Sequence, residues 1–155
     1  MRLDRSSLSA ADPQLPKGMT VMKKYLFSIG IWFLIVPLAI LNGILRETLL
    51  QPLGAFSLPV SGLLLCACIL CIAIQLIPRI PGLQARDTWL IGAIWFCLTN
   101  LFDLSMYLME GQSFWAYLQT FDLSSGNLWV LVVLTSLLAP RIGFRYTVFK
   151  SASQT

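Results

Sequence analysis

Tyr25 to Leu45 reads YLFSIGIWFLIVPLAILNGIL, a run without a single charged residue. The hydrocarbon core of a bilayer is about 30 Å thick, and a helix rising about 1.5 Å per residue crosses it in about 20 residues. This stretch alone points to a membrane, and three more follow it: Leu58–Ile77 (LPVSGLLLCACILCIAIQLI), Thr88–Leu108 (TWLIGAIWFCLTNLFDLSMYL) and Ser125–Ile142 (SGNLWVLVVLTSLLAPRI). None alternates apolar with polar residues as a membrane β-strand must. The expected fold class is therefore all-α, an integral membrane four-helix bundle. A single transmembrane domain over residues 22–145 carries helices at about 25–45, 58–77, 88–108 and 125–142.

The composition agrees. Of 155 residues, 57% are apolar and 12% charged, about half the charged share of an average soluble domain. There is no His, so the commonest general base and neutral metal ligand is missing. The chain also lacks a glycine-rich phosphate loop, a G-x-S-x-G elbow, an H-E-x-x-H pair and any basic-aromatic stripe. These residues imply no cofactor, no metal and no nucleic-acid partner; the lipid bilayer is the first partner they imply.

Basic residues near helix ends are retained in the cytoplasm. Ten of the eleven lie on one side: Arg2, Arg5, Lys17, Lys23 and Lys24 before the first helix, Arg79 and Arg86 between the second and third, and Arg141, Arg145 and Lys150 after the fourth. Arg46 alone lies on the other side, beside Glu47, with Glu110 and Asp122 in the third loop. The expected location is the bacterial inner membrane, multi-pass, with both termini cytoplasmic. Residues 1–21 are polar, with Ser and Pro, and read as a disordered cytoplasmic tail; residues 146–155 read as a second tail. Translation starting at Met1, Met19 or Met22 is compatible with an uncleaved signal anchor.

Pro37 falls inside the first helix and predicts a bend near Phe33. Pro78, Pro81 and Gly82 are expected to stop the second helix, and Pro140 the fourth. Gly62, Gly92 and Ala93 read as points of close helix approach. In the third loop Ser113 is a suitable N-cap for a short amphipathic helix. Its apolar residues Phe114, Trp115, Tyr117 and Phe121 are expected to anchor in the outer interface, or else to fold over the bundle.

Polar residues within the apolar windows are the candidate functional ones. Asn42 and Arg46 are four apart on the first helix, and Asn100 and Asp103 three apart on the third, so each pair shares a face. A carboxylate facing hydrocarbon costs several kcal/mol by order of magnitude, so Asp103 is expected to find a partner. By depth that partner is Arg46, with Glu47 competing for it. The candidate polar or ion-pair cluster is Asn42, Arg46, Glu47, Asn100 and Asp103, within reach of Ser61. Cys66, Cys68, Cys71 and Cys97 read as inert packing residues, kept protonated by the hydrocarbon around them.

Several of these runs occur together in order: Asn42-Gly43-Ile44-Leu45-Arg46-Glu47, Pro52-Leu53-Gly54, Leu98-Thr99 leading to Phe102-Asp103, Gly111-Gln112-Ser113-Phe114-Trp115, and Gly126-Asn127-Leu128-Trp129 leading to Ala139-Pro140. In this the chain resembles a family of small four-helix bacterial inner-membrane proteins, over most of its length after about residue 25. The resemblance implies that architecture and no activity. In the family Glu is more usual at the position of Asp103, and Arg is common at that of Asn127.

No nucleophile and base stand side by side at readable spacing, so no catalytic residue is assigned. The expected class is a non-enzymatic interaction or assembly subunit, whose partner is another membrane protein or a second copy of the chain. Transport of a small solute, ion or proton by an oligomer is the alternative. An enzyme acting on outer-leaflet lipid ranks third.

Overall fold

The computed structural model describes residues 17–125 and 127–153. It contains five α-helices and, among the described residues, no strand: α1 (Lys17–Thr48), α2 (Ser57–Leu76), α3 (Asp87–Met109), α4 (Phe114–Gln119) and α5 (Trp129–Ala152). The four long helices each contain a stretch apolar and long enough to cross a membrane. At most 39% of any of their apolar windows is buried within the chain. Most of that apolar surface therefore faces something other than this protein.

Cross-helix contacts set the directions. Gly62 meets Leu128 and Gly143 meets Ala73, so α2 and α5 run the same way. Lys24 meets Asp87, Trp95 meets Ser28 and Trp32 meets Thr99, so α1 and α3 also run together, opposite to the other two. The result is an up-down-up-down arrangement with a Lys24 end and an Arg46 end. Ile69, Ile77, Ile91 and Trp95 fill the middle.

Helices α2, α3 and α5 form the tight part of the bundle, and glycine is the reason. A Cβ on Gly92 would stand 2.1 Å from the Leu137 carbonyl oxygen, and one on Gly143 would stand 2.5 Å from that of Ala73. Only hydrogen fits at either crossing. The close approach expected of Gly92 is present; Ala93, expected to share it, is exposed, and Gly143 supplies the second crossing. Helix α1 lies outside this trio, mainly against α2.

Helix ends follow local chemistry with two corrections. Pro78, Pro81 and Gly82 close α2 as expected: a 3₁₀ turn at Ile77–Arg79 follows it, and Gly82 takes φ +63. Pro140 does not stop α5, which continues to Ala152 and so includes most of the expected tail at 146–155. Proline removes one N–H from the helical ladder, a loss that apolar helices absorb where neighbours pack closely; Pro140 is fully buried, and the next residue, Arg141, donates to the Ala85 carbonyl at 2.7 Å. Pro37 likewise lies within a continuous α1. At the other terminus, α1 starts at Lys17 rather than after residue 21; the rest of the expected disordered tail lies outside the described residues.

Candidate functional site

Helix α3 ends on a reversal that its sequence encodes. Gly111 adopts φ +74, its N–H donates to Leu108, and Gln112 N–H donates to Tyr107. These two bonds satisfy the last carbonyls of α3 in a left-handed glycine cap. Ser113 then accepts a hydrogen bond from Ala116 N at 3.2 Å and starts α4, as its sequence position predicts. The short helix therefore folds back along α3.

The expected interfacial anchor divides in two. Phe114 and Trp115 are exposed, as an anchor requires, but Tyr117 is buried, and Phe121 packs edge-on against it at 5.5 Å. The Tyr117 hydroxyl donates to Asn100 Oδ1 at 2.8 Å, while the Asn100 amide donates to the Phe96 carbonyl. Burial pushes the Tyr117 phenol above the ordinary tyrosine value. Asn100 thus holds α4 in place and leaves the expected polar cluster. In the loop beyond, two hydrogen bonds from Ser124 hold the Asp122 carboxyl below the usual carboxylate range.

The other four members line one cavity of about 600 Å³ near the Arg46 end. Its floor is apolar, with Trp32, Ile35, Leu65, Ile69 and Val132. Its upper wall carries Asn42, Arg46, Glu47, Asp103 and Glu110. Asn42 donates to Ser61 Oγ at 2.8 Å, the reach expected from the second helix. The other atom of that amide, Oδ1, is buried without a partner.

Arg46 pairs with Glu47, at a loose 3.6 Å, and not with Asp103. The expected ion pair across α1 and α3 is absent, and the register of the two helices is the cause. Ser28 and Trp95 are 67 positions apart, and so are Trp32 and Thr99. Lys24 and Asp87 are 63 apart. These offsets set Asp103 level with Val36 to Ile40, about six to ten residues before Arg46, or about 9–15 Å along the axis at 1.5 Å per residue. Arg46 acts on the Asp103 carboxylate through space without touching it. Aligning the starts of the two apolar windows gives an offset of 63, whereas the two tryptophan contacts give 67, so α3 is shifted by about one turn in the direction that parts the two charges. Among the described residues, no hydrogen bond or ion pair of the chain reaches the Asp103 carboxylate.

Sequence reasoning also overlooked the contacts that hold α1. The Trp32 indole donates to Thr99 Oγ1 at 3.1 Å, and the Trp95 indole donates to the Ser28 carbonyl at 3.0 Å. At the far end Lys24 Nζ reaches Asp87 Oδ2 at 3.1 Å, with both side chains close to nine-tenths buried. An indole N–H inside an apolar run requires an acceptor, and that was the available signal. Asp87 in the first turn of a helix was another.

No group of three or more His, Cys, Asp or Glu side chains among the described residues is placed to hold a metal ion. The cysteines are free; Cys66 is buried, while Cys71 and Cys97 are exposed on different helices. Compared with protein families, curated proteins and solved structures, the chain finds no match in any of the three.

Proposed function

We propose that the chain is a non-enzymatic multi-pass protein of the bacterial inner membrane, with both termini cytoplasmic, that works as an interaction or assembly subunit. Its site of association is the cavity at the Arg46 end, which in this orientation opens outward. Ten basic residues on one side and one on the other support the orientation. The observation that carries the function is the unsatisfied polar wall: a carboxylate that no hydrogen bond or ion pair of the chain reaches among the described residues, and a buried amide oxygen without a donor, line the same cavity. An intramembrane charge without a partner in its own chain is costly and marks a place where a partner completes the site.

Transport by an oligomer has less support. The cavity ends on Trp32 and Ile69, and beneath it the Trp95–Ser28 contact fills the space between α1 and α3. The test is extraction into native lipid discs, followed by mass spectrometry of what accompanies wild type and the Arg46→Gln, Asp103→Asn double variant. A stoichiometric companion lost from the variant is the expected result. Identical companions in both would refute the proposal, as would Asp103-dependent solute flux in reconstituted vesicles.

A further inference from the structure

The lining of the cavity at the Arg46 end has a definite chemical bias. Its charged residues are three carboxylates, Glu47, Asp103 and Glu110, against one guanidinium, Arg46. Arg46 is engaged by its neighbour Glu47. That leaves a net negative wall, with Asp103 the carboxylate nearest the floor by helix register. The buried Asn42 Oδ1 is a second acceptor without a donor.

Below these acceptors the space is apolar and partly aromatic. Trp32 and Phe102 meet edge to face at 6.3 Å, and Ile35, Ile69 and Val132 complete the floor. A volume of about 600 Å³ falls within the range of pockets that enclose small organic ligands. A hydrated metal ion would waste the floor, and an anion would meet three like charges. A protonated amine on an apolar body satisfies both halves, because an ammonium brings N–H donors and positive charge to the depth where acceptors are unpaired.

We infer that the outer cavity is a binding site for an amphiphilic organic amine, its ammonium on Asp103 and its apolar body against Trp32, Phe102 and Val132. This rests on the association proposed above and names the chemistry of what associates. The occupant approaches from the mouth, where Arg46 and Glu47 flank the opening and Glu110 adds to the negative potential.

The probe is 3-phenylpropylamine, set against 3-phenylpropanol and 3-phenylpropionate, which share its body and differ in charge. Each is titrated by calorimetry into the full-length protein in lipid discs, with empty discs subtracted to remove partitioning. Saturable binding of the amine is expected, weakened roughly ten-fold or more by Asp103→Asn, as loss of a charge-assisted hydrogen bond implies. Asp103→Glu should retain it, and helical circular dichroism checks that each variant is folded. Binding of the alcohol or the acid as tight as that of the amine overturns the inference, as does an unchanged affinity in Asp103→Asn. If the amine fails while a companion is still lost from the double variant, the inference alone falls; if neither responds to Asp103, the association falls with it.

Discussion

Lys24, about two turns into α1, and Asp87, at the start of α3, join two parallel helices that are distant in sequence, with 3.1 Å between ammonium and carboxylate. Asp87 Oδ2 also accepts from Gln84 N, so one oxygen ties α1, the α2–α3 connection and the start of α3 together. The Lys24 stem runs past Gly82, where a Cβ would stand 3.6 Å from Cε.

This contact is expected to couple more strongly than the Arg46 and Asp103 side chains, which act on each other only through space. Lys24→Met and Asp87→Asn should each destabilise the protein by about 1–3 kcal/mol, the scale of hydrogen bonds to charged groups, and the double variant should lose less than their sum. Arg46→Gln and Asp103→Asn, which do not touch, should add to within about 0.5 kcal/mol. Thermal unfolding of the two double-mutant cycles in one detergent gives the comparison; strong coupling between Arg46 and Asp103 would contradict the register described here.

The two glycine crossings predict a sharp contrast among alanine substitutions. Gly92→Ala and Gly143→Ala drive a methyl into backbone carbonyls, and overpacking of this kind costs about 1–3 kcal/mol or more. Gly30→Ala meets nothing within 4 Å and should be neutral or slightly stabilising, since alanine is the better helix former. Unfolding midpoints of the three variants decide it, and an equal loss in all three would rule out close packing as the cause.

Removing the Tyr117 hydroxyl should release α4. Tyr117→Phe leaves Asn100 Oδ1 without its donor and is expected to cost about 1–2 kcal/mol, seen as faster proteolysis between Gly111 and Asn127. The same contact responds to alkali. Because burial raises the phenol, the folded form keeps its proton where the unfolded chain has lost it; the stabilisation is complete below about pH 10, the unfolded value, and disappears as pH rises through the higher folded value. Ultraviolet titration of wild type against Tyr117→Phe should remove one late-ionising tyrosine.

Orientation has its own test. A reporter active only outside the cytoplasm, fused after Thr155, should be silent, and the same reporter within the third loop should be active. Activity at the C-terminus would reverse the placement of the cavity.

Much of the fold was legible because apolar length is a strong signal. Windows such as Tyr25–Leu45 have no alternative as strands, and Gly111-Gln112-Ser113 encodes both a helix stop and a helix start. Pro140 was misread because proline ends helices in water, where a freed carbonyl finds solvent, whereas within packed apolar helices the chain continues. The cavity was half legible. Asn42, Arg46, Glu47 and Asp103 were singled out by their polarity, and they do line one space; their pairing was not, because a shift of a few residues between parallel helices leaves composition unchanged and separates two charges by turns. Asn100 was misassigned for a related reason: its acceptor serves α4, and no spacing on α3 alone reveals that.

One consequence concerns α1. Among the described residues its hydrogen bonds and ion pair to α3 come from Lys24, Ser28 and Trp32, all before Pro37, and beyond that proline its bond at Asn42 is to α2. The segment therefore has the mechanics of a peg, clamped to α3 at its base and tied only to α2 above it, so widening is expected as a swing along α2 rather than a slide. Spin labels at Ile44 and Met106 should report a broad distance distribution that narrows when the gap is filled, while labels at Phe27 and Leu90 stay sharp throughout.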